Sequence, residues 1–311
     1  MEGRLDELIS SSTPCFFYTD FKGDRIHAFA LGELEENDIE FAFNSPLHPN
    51  NKPHKPFNQP IEFSLYNEKF DLIQEEIRNG NTYLINLTQP TPIETALSLK
   101  EIYTMANAPY KMRIKDEFVC FSPEPFIRIE NGIIHTYPMK GTIDASIPNA
   151  VEKILNDPKE TAEHTMIVDL LRNDIGMIAQ NVTVDRFRYI TSINTGNKTL
   201  YHVSSHITGR LNQNWQTKIT TLIKPILPAG SISGTPKRKT VEILERVEGY
   251  QRGYFTGIFG YFDGKILSTA VAIRFIEKQK ERFVYKSGGG ITSDSNAVSE
   301  YQEMIDKIYI P

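Results

Sequence analysis

The fold is predicted most directly by residues 253–275, GYFTGIFGYFDGKILSTAVAIRF. Two runs rich in β-branched and aromatic residues, 256–262 and 270–275, predict strands. Asp263, Gly264 and Lys265 between them form a hairpin signal, so we expect the two strands to pair antiparallel. Similar runs predict further strands at residues 14–18, 82–87, 118–121, 126–129, 133–136 and 282–286.

Segments with helical periodicity lie between the predicted strands, at residues 70–78, 157–174, 237–247 and 298–308. Strands joined by hairpins, with helices between them and no regular βαβ alternation, indicate an α+β fold with mainly antiparallel sheet. The Pro- and Asn-rich residues 46–60 are interpreted as a surface loop. We therefore expect one domain overall, in which residues 1–60 form a short segment packed on a main domain of residues 61–311.

Composition and charge exclude several classes of protein. The chain has 311 residues, of which 40% are hydrophobic and 23% charged, and its formal net charge of −5 provides no basic field for nucleic acid. No apolar stretch has the length of a membrane span, and the first residues lack the features of a signal peptide. Cys15 and Cys120 have no metal-ligand or disulfide-framework spacing, which indicates the cytoplasm as the location.

Two predicted helices each carry a pair of glutamates three residues apart, Glu160 with Glu163 and Glu300 with Glu303. Residues at this spacing lie on one face of a helix. Two such pairs facing each other would supply the carboxylate oxygens that Mg²⁺ prefers. The alternatives are that Glu160 is a capping-box residue and that Glu303 forms an ion pair with Lys307 on an exposed face.

Lys140 and two glycine-rich segments are further candidates for chemistry. Lys140 lies between Pro138 and Gly141, on constrained backbone, and is either a nucleophile or a surface lysine in a turn. The segments 287–291, SGGGI, and 228–237, PAGSISGTPK, predict turns whose backbone N–H groups approach an anion. The second segment lacks the spacing of a phosphate-binding P-loop.

Seven segments together resemble one enzyme family in their order and spacing. They are PMKGT (138–142), DPKETAEHTMIVDLLRNDIG (157–176), YHVSSHITG (201–209), PAGSISGTPKRK (228–239), GYFTGIFGYF (253–262), AVAIRF (270–275) and SGGGITSDSNAVSEYQE (287–303). The family is that of the chorismate-utilising enzymes, which includes anthranilate, aminodeoxychorismate, isochorismate and salicylate synthases. The resemblance spans residue 63 to the C-terminus. It implies antiparallel sheets that sandwich the active site, with helices outside.

The resemblance also implies roles for individual residues. Glu160, Glu163, Glu300 and Glu303 match a Mg²⁺ site that binds the ring carboxylate of chorismate. The residues that match holders of the enolpyruvyl carboxylate are Tyr261, Arg274, Gly288, Gly289 and Gly290. His202 and Thr142 match positions lining the ring near the departing hydroxyl. Glu124, in FSPEPF, matches the general acid that protonates the hydroxyl leaving from ring C4.

Lys140 and Leu84 indicate the branch of the family. A lysine in PMKGT is similar to the aminodeoxychorismate synthases, in which it attacks ring C2 before ammonia adds at C4. Anthranilate synthases usually carry alanine there, and this branch is the alternative. Leu84 replaces the water-activating lysine of isochorismate and salicylate synthases, which makes that branch less favoured, and it also departs from the glutamine usual in ammonia-using members. A non-catalytic metabolite-binding subunit is the alternative from another class.

The expected partners follow from what the sequence lacks. No glutaminase signature of a reactive Cys with His and Glu is recognisable, so ammonia is expected from a glutamine amidotransferase subunit or from solution. About sixty residues precede the family-like region, so we do not expect a tryptophan inhibitor pocket of the kind that regulated members build from a long N-terminal portion.

Overall fold

The computed structural model describes residues 2–48, 53–194 and 199–311. The helices are α1 Glu2–Ser10, α2 Phe63–Arg78, α3 Leu99–Met105, α4 Ala150–Asn156, α5 Pro158–Gly176, α6 Ile219–Ile223, α7 Gly230–Ser233, α8 Lys237–Val247 and α9 Ala297–Asp306. The strands are β1 Cys15–Thr19, β2 Ile26–Ala30, β3 Ile39–Phe43, β4 Phe57–Asn58, β5 Leu84–Glu94, β6 Tyr110–Ile114, β7 Phe118–Ser122, β8 Pro125–Glu130, β9 Ile133–Thr136, β10 Met139–Asp144, β11 Gln180–Asn194, β12 Thr199–Arg210, β13 Gly234–Thr235, β14 Ile258–Phe262, β15 Leu267–Val271, β16 Phe275–Gln279 and β17 Arg282–Ile291.

Two antiparallel sheets form the molecule. The first has the order β10-β12-β9-β8-β15-β14-β1-β2, with β11 paired to β12. The second has the order β13-β5-β17-β16-β7-β6-β3, with β4 paired to β5. The predicted hairpin is present, since β14 pairs with β15 and Phe262 opposes Leu267. The predicted α+β class with antiparallel sheets is confirmed.

Apolar side chains pack the sheets face to face and place the helices outside. Phe16 and Phe259 of the first sheet share a buried cluster with Phe118 and Phe275 of the second. On the outer faces, α1 and α6 pack on the first sheet, and α2, α8 and α9 pack against β5 and β17 of the second. None of the helices in the described part of the chain has both the length and the apolar character of a membrane span.

The N-terminal residues take part in both sheets. Strands β1 and β2 extend the first sheet beside β14, and β3 forms an edge of the second beside β6. The predicted loop at residues 46–60 includes residues 49–52, which lie outside the described residues. The division into a segment 1–60 and a domain 61–311 stays a prediction.

The prediction of one strand over residues 270–275 is wrong. Strand β15 ends at Val271 and β16 begins at Phe275, because Arg274 adopts a left-handed φ of 54° and turns the chain from the first sheet into the second. The paired chain makes the same passage in reverse, from β7 to β8. A two-stranded ribbon, β7–β8 paired with β15–β16, therefore runs through both sheets and bends at residues 122–125 and 272–274.

The two glycine-rich segments also differ from the predicted turns. Residues 287–291 continue strand β17 and pair with β5, where Gly288 opposes Thr88. Glycine is required because a Cβ at Gly288 would lie 2.1 Å from the Leu87 carbonyl oxygen. The segment 228–237 forms the four-residue helix α7 and the short strand β13 and ends at Lys237, the first residue of α8. The approach of its backbone N–H groups to an anion stays a prediction.

Candidate active site

Glu124 and Arg274 lie in the two bends of the ribbon, Glu124 opposite Val271 and Arg274 opposite Phe121. The Val271 N–H donates to the Glu124 carbonyl oxygen at 3.1 Å, and the Phe121 N–H donates to the Arg274 carbonyl oxygen at 3.2 Å. The Arg274 guanidinium lies over the Tyr309 ring, 5.2 Å from its centroid. Within the described ranges, no carboxylate forms an ion pair with Arg274. Its planar fork is therefore available to an acidic ligand.

A cavity between the sheets brings most of the predicted residues together. It has two adjoining lobes, of about 720 Å³ and about 430 Å³. Both lobes are lined by Glu124, Lys140, His202 and Arg274. The larger lobe adds Glu303 and Gly290, and the smaller one adds Thr142 and Gly288.

Tyr261 lies apart from this group. It belongs to β14 and its ring packs on Phe41 and Phe43, with centroid distances of 5.2 and 6.2 Å. It is not among the described residues that line the two lobes. This placement does not support the role in holding the enolpyruvyl carboxylate that the sequence predicts. The motif identifies strand β14, but the Tyr261 side chain lies on the face of this strand that packs on Phe41 and Phe43 and not on the face towards the cavity.

Glu124 is half-buried, and one short hydrogen bond holds its carboxylate. Ser231 Oγ donates to Glu124 Oε1 at 2.6 Å, and the Glu124 N–H donates to Ser122 Oγ at 3.1 Å. Burial raises the pKa of the Glu124 carboxyl, against the opposing effects of the Ser231 hydroxyl and of the positive charges of Lys140, Lys307 and Arg274. A carboxyl with a raised pKa retains its proton closer to neutral pH, as a general acid requires.

Lys140 projects from the edge strand β10 towards α5. Its Nζ lies 3.0 Å from Glu163 Oε2, and about a third of its side chain is exposed. Gly141, with a φ of 90°, follows it, and a Cβ there would lie 2.8 Å from Glu160 Oε2. The backbone around Lys140 is therefore packed closely against the first glutamate pair, and the ammonium group lies between that pair and the cavity.

His202 and Thr142 lie opposite each other on β12 and β10. The register of these strands pairs the two residues directly, and Thr142 Oγ1 is 2.9 Å from His202 Nδ1. Burial lowers the pKa of His202, which favours the neutral imidazole. The pair can therefore orient a ligand by hydrogen bonding without adding charge.

The four glutamates lie on two helices that different sheets support. Helix α5 packs on β10, β11 and β12, and α9 packs on β17. The Asp157 carboxylate caps α5 by accepting from the Glu160 N–H at 3.0 Å. Burial and the neighbouring carboxylate raise the pKa of Glu160, and burial likewise raises the pKa of Glu300. Excess negative charge at these positions favours a bound cation.

The donor set fits Mg²⁺ in chemistry, although the glutamates are not gathered around one point. Among the described residues, no three His, Cys, Asp or Glu side chains form a metal-binding group. One glutamate of each pair forms an ion pair with a lysine. Lys140 lies beside Glu163, and Lys307 lies beside Glu303 at 2.6 Å. The predicted Glu303–Lys307 ion pair is therefore present. The Mg²⁺ site itself stays a prediction.

We expect Glu163→Gln and Glu303→Gln each to weaken Mg²⁺ binding by roughly tenfold or more, because each removes a charged oxygen donor. Isothermal titration calorimetry measures the affinity for Mg²⁺ directly. It therefore does not depend on any change that the loss of Glu163 causes in the reactivity of Lys140. Glu152→Gln, an exposed change on α4, is the matched control. Binding unchanged in both variants, or full enzyme activity in excess EDTA, contradicts the assignment.

Sequence reasoning missed two residues that line both lobes, Ser231 and Asn86. Ser231 lies in PAGSISG, where the glycines drew attention to the backbone and the hydroxyl was overlooked. Asn86 lies two residues after Leu84 on β5, and alternation along a strand places both on one face. Leu84 is buried and packs with Ile167 and Leu171, so this wall of the cavity is apolar.

Comparisons with known proteins bear on the family and the fold. A family model described as chorismate binding enzyme matches residues 23–311. The chain is 47% identical over 303 residues to an "Uncharacterized PabA-like protein" of Haemophilus influenzae, covering 96% of this chain and 92% of that protein. It is 35% identical over 259 residues to "Aminodeoxychorismate synthase component 1" of Salmonella typhimurium, covering 78% of this chain and 56% of that protein. A crystal structure of anthranilate synthase component I from Streptococcus pneumoniae superposes with a TM-score of 0.72 at 23% identity, covering 98% of this chain and 84% of that one, which shows the fold.

Proposed function

The chain belongs to the chorismate binding enzyme family, and from this premise we propose that it converts chorismate and ammonia to 4-amino-4-deoxychorismate, the precursor of 4-aminobenzoate in folate biosynthesis. The observation that supports this reaction best is the presence of Lys140 and Glu124 in one cavity. A nucleophile and an acid facing the same bound ring are what a two-step displacement requires. The 35% identical relative bears the name of an enzyme of this type.

The proposed reaction uses Lys140 as a covalent nucleophile. Its unprotonated Nζ forms a bond to ring C2, the ring double bonds shift and the C4–O bond breaks. Glu124 gives its proton to the departing hydroxyl, which leaves as water. Ammonia then bonds to C4, the double bonds shift back and the bond from C2 to Lys140 breaks. Covalent catalysis of this kind replaces one difficult displacement by two easier ones.

The remaining residues bind and orient the substrate. Arg274, which has no carboxylate partner among the described residues, binds the enolpyruvyl carboxylate, beside Gly288 and Gly290 in the cavity wall. His202 and Thr142 orient the ring near C4. Mg²⁺, held by the four glutamates, supplies positive charge for the ring carboxylate when bound. The apolar wall around Leu84 has no base to activate water, which favours ammonia as the nucleophile.

Product identification tests this proposal. The protein is incubated with chorismate, an ammonium salt and Mg²⁺, and an aminodeoxychorismate lyase is added afterwards. We expect 4-aminobenzoate, detected by chromatography. Anthranilate as the product identifies the alternative in which ammonia attacks C2 directly. Isochorismate identifies the hydroxylating branch, and no product with chorismate bound identifies a binding subunit.

We expect the protein alone to use ammonium salts at elevated pH but not glutamine. Both cysteines of the chain are fully buried, and burial raises the pKa of the Cys15 thiol to about 12 and also raises that of Cys120. A glutaminase nucleophile needs an accessible thiol with a lowered pKa. A glutamine amidotransferase subunit is therefore the proposed source of ammonia. Glutamine-dependent product formation by this chain alone contradicts the prediction, and its appearance only after that subunit is added supports it.

A further inference from the structure

We propose that Ser231 is a positioning residue that holds the Glu124 carboxyl by its Oε1 atom and leaves Oε2 as the atom that carries the transferred proton. The proposal rests on the proposed function, in which Glu124 is the general acid. Its geometric basis is the 2.6 Å hydrogen bond from Ser231 Oγ to Glu124 Oε1. Both residues line both lobes of the cavity, so the bond is formed at the site of the reaction.

Hydrogen bonds from outside the segment hold helix α7, which carries Ser231, in place. Asn86 Nδ2 donates to the Ser231 carbonyl oxygen at 3.1 Å. Arg252 Nη1 donates to the Ile232 carbonyl oxygen at 3.0 Å, and this arginine is itself buried in an ion pair with Glu248. Two neighbouring peptide groups are thus bound by side chains from β5 and from the chain after α8. The hydroxyl of Ser231 is therefore presented by rigid backbone.

Close packing holds both ends of the same segment. At its start, a Cβ on Gly230 would lie 2.8 Å from the Leu170 side chain of α5. At its end, Gly234 has a φ of 134°, and a Cβ there would lie 1.9 Å from the Leu84 carbonyl oxygen. Lys237, the last residue of the segment 228–237, forms a buried ion pair with Asp174 at 2.7 Å. These contacts explain why the segment PAGSISGTPK has glycine at positions 230 and 234. The same contacts hold Ser231 beside Glu124.

The hydrogen bond determines how the carboxyl is used. In the structure Ser231 donates its one hydroxyl proton to Oε1, and the proposal assigns Oε1 this acceptor role in both protonation states of Glu124. The proton of the neutral acid then lies on Oε2. The charged groups that face Glu124 are Lys140, Lys307 and Arg274, and these cations and the serine all favour the ionised form against the effect of burial. Removing the serine therefore raises the pKa of Glu124 further.

The test compares Ser231→Ala, Ser231→Thr and the control Ser233→Ala over a range of pH. Ser233 lies on the same helix, and its hydroxyl donates to the Ala229 carbonyl oxygen at 2.9 Å, within the segment. For Ser231→Ala we expect kcat to fall roughly ten- to a hundredfold, as for loss of a hydrogen bond to a charged group. We also expect the basic limb of the kcat/KM profile to move to higher pH. Ser231→Thr, which keeps the hydroxyl, restores both, and Ser233→Ala leaves the basic limb in place.

Two results overturn the proposal. A higher KM in Ser231→Ala with an unmoved basic limb shows that Ser231 contacts the substrate instead of the acid. If Ser233→Ala moves the basic limb of the kcat/KM profile as far as Ser231→Ala does, the shift reflects only the packing of helix α7.

A second measurement separates this proposal from the reaction itself. Difference infrared spectra identify the Glu124 carboxyl band by its loss in Glu124→Gln. We expect the carbonyl frequency of this band to rise in Ser231→Ala, because a hydrogen bond to Oε1 is lost. An unchanged frequency overturns the positioning role whatever the product is. Failure of the wild-type protein to act on chorismate, with the frequency raised in the variant, overturns the proposed function alone.

Discussion

Lys140→Ala is expected to lower the formation of 4-amino-4-deoxychorismate by roughly 10³-fold or more, because it removes the atom that bonds to ring C2. In the wild-type protein, incubation with chorismate in the absence of ammonia should add mass to the peptide that contains Lys140. Peptide mass spectrometry after rapid quenching measures the adduct. The variant should lack it, and its residual product should shift towards anthranilate, since C2 becomes open to ammonia.

Lys159→Ala is the matched control for this experiment. Lys159 Nζ lies 3.9 Å from Glu163 Oε1, so this lysine approaches the same glutamate, but its side chain is two-thirds exposed. We expect its removal to leave both the adduct and the rate nearly unchanged. Wild-type protein that makes anthranilate, with no adduct on Lys140, contradicts the covalent mechanism and supports the anthranilate alternative.

Glu124→Gln is expected to lower kcat by about 10²–10⁴-fold, the usual contribution of general acid catalysis, and to change chorismate binding little. Glutamine keeps the size of the side chain and accepts the Ser231 hydrogen bond, but it has no proton to transfer. Burial raises the pKa of Glu124, so the wild-type rate should fall as the pH rises through that raised value and the carboxyl ionises. The variant should lack this basic limb.

Steady-state kinetics over a range of pH, with chorismate affinity measured by calorimetry, tests the role of Glu124. Glu130→Gln is the control, because Glu130 lies at the far end of strand β8, which begins directly after Glu124, and is paired with Arg128. A loss of less than tenfold in Glu124→Gln assigns the acid role to another group. A basic limb retained in that variant does the same.

The sequence predicted correctly those helices and strands whose ends are set by nearby residues in the chain. Helix α8 matches the predicted residues 237–247, and β9 matches 133–136. The bend at Arg274 has no such signal, because AVAIRF has the composition of an uninterrupted strand and a non-local backbone hydrogen bond sets the turn. The long strands β11 and β12 were also not predicted, since their many polar residues obscure the alternation of a strand.

The prediction of the site depended on motifs, and there is a physical reason for each residue that the motifs misplaced or missed. The motif match selected residues that the fold does bring together, including Glu124, Lys140, His202 and Arg274. Tyr261 lies outside the two lobes because neighbouring residues on a strand face opposite sides, and a motif does not state which side faces the cavity. It missed Ser231 because that residue acts on another side chain, and such contacts depend on distances across the fold.

The bent ribbon has a mechanical consequence. Glu124 and Arg274 both lie where the ribbon passes from one sheet to the other, and a backbone hydrogen bond joins each of them to the opposite strand, so the ribbon itself fixes their spacing. The glutamate pairs are carried by different sheets, one by α5 on the first sheet and one by α9 on the second. A motion of one sheet against the other would therefore change the gap between the two glutamate pairs. Glu124 and Arg274 would keep their spacing in such a motion, and the gap between the glutamate pairs would report the relative position of the two sheets.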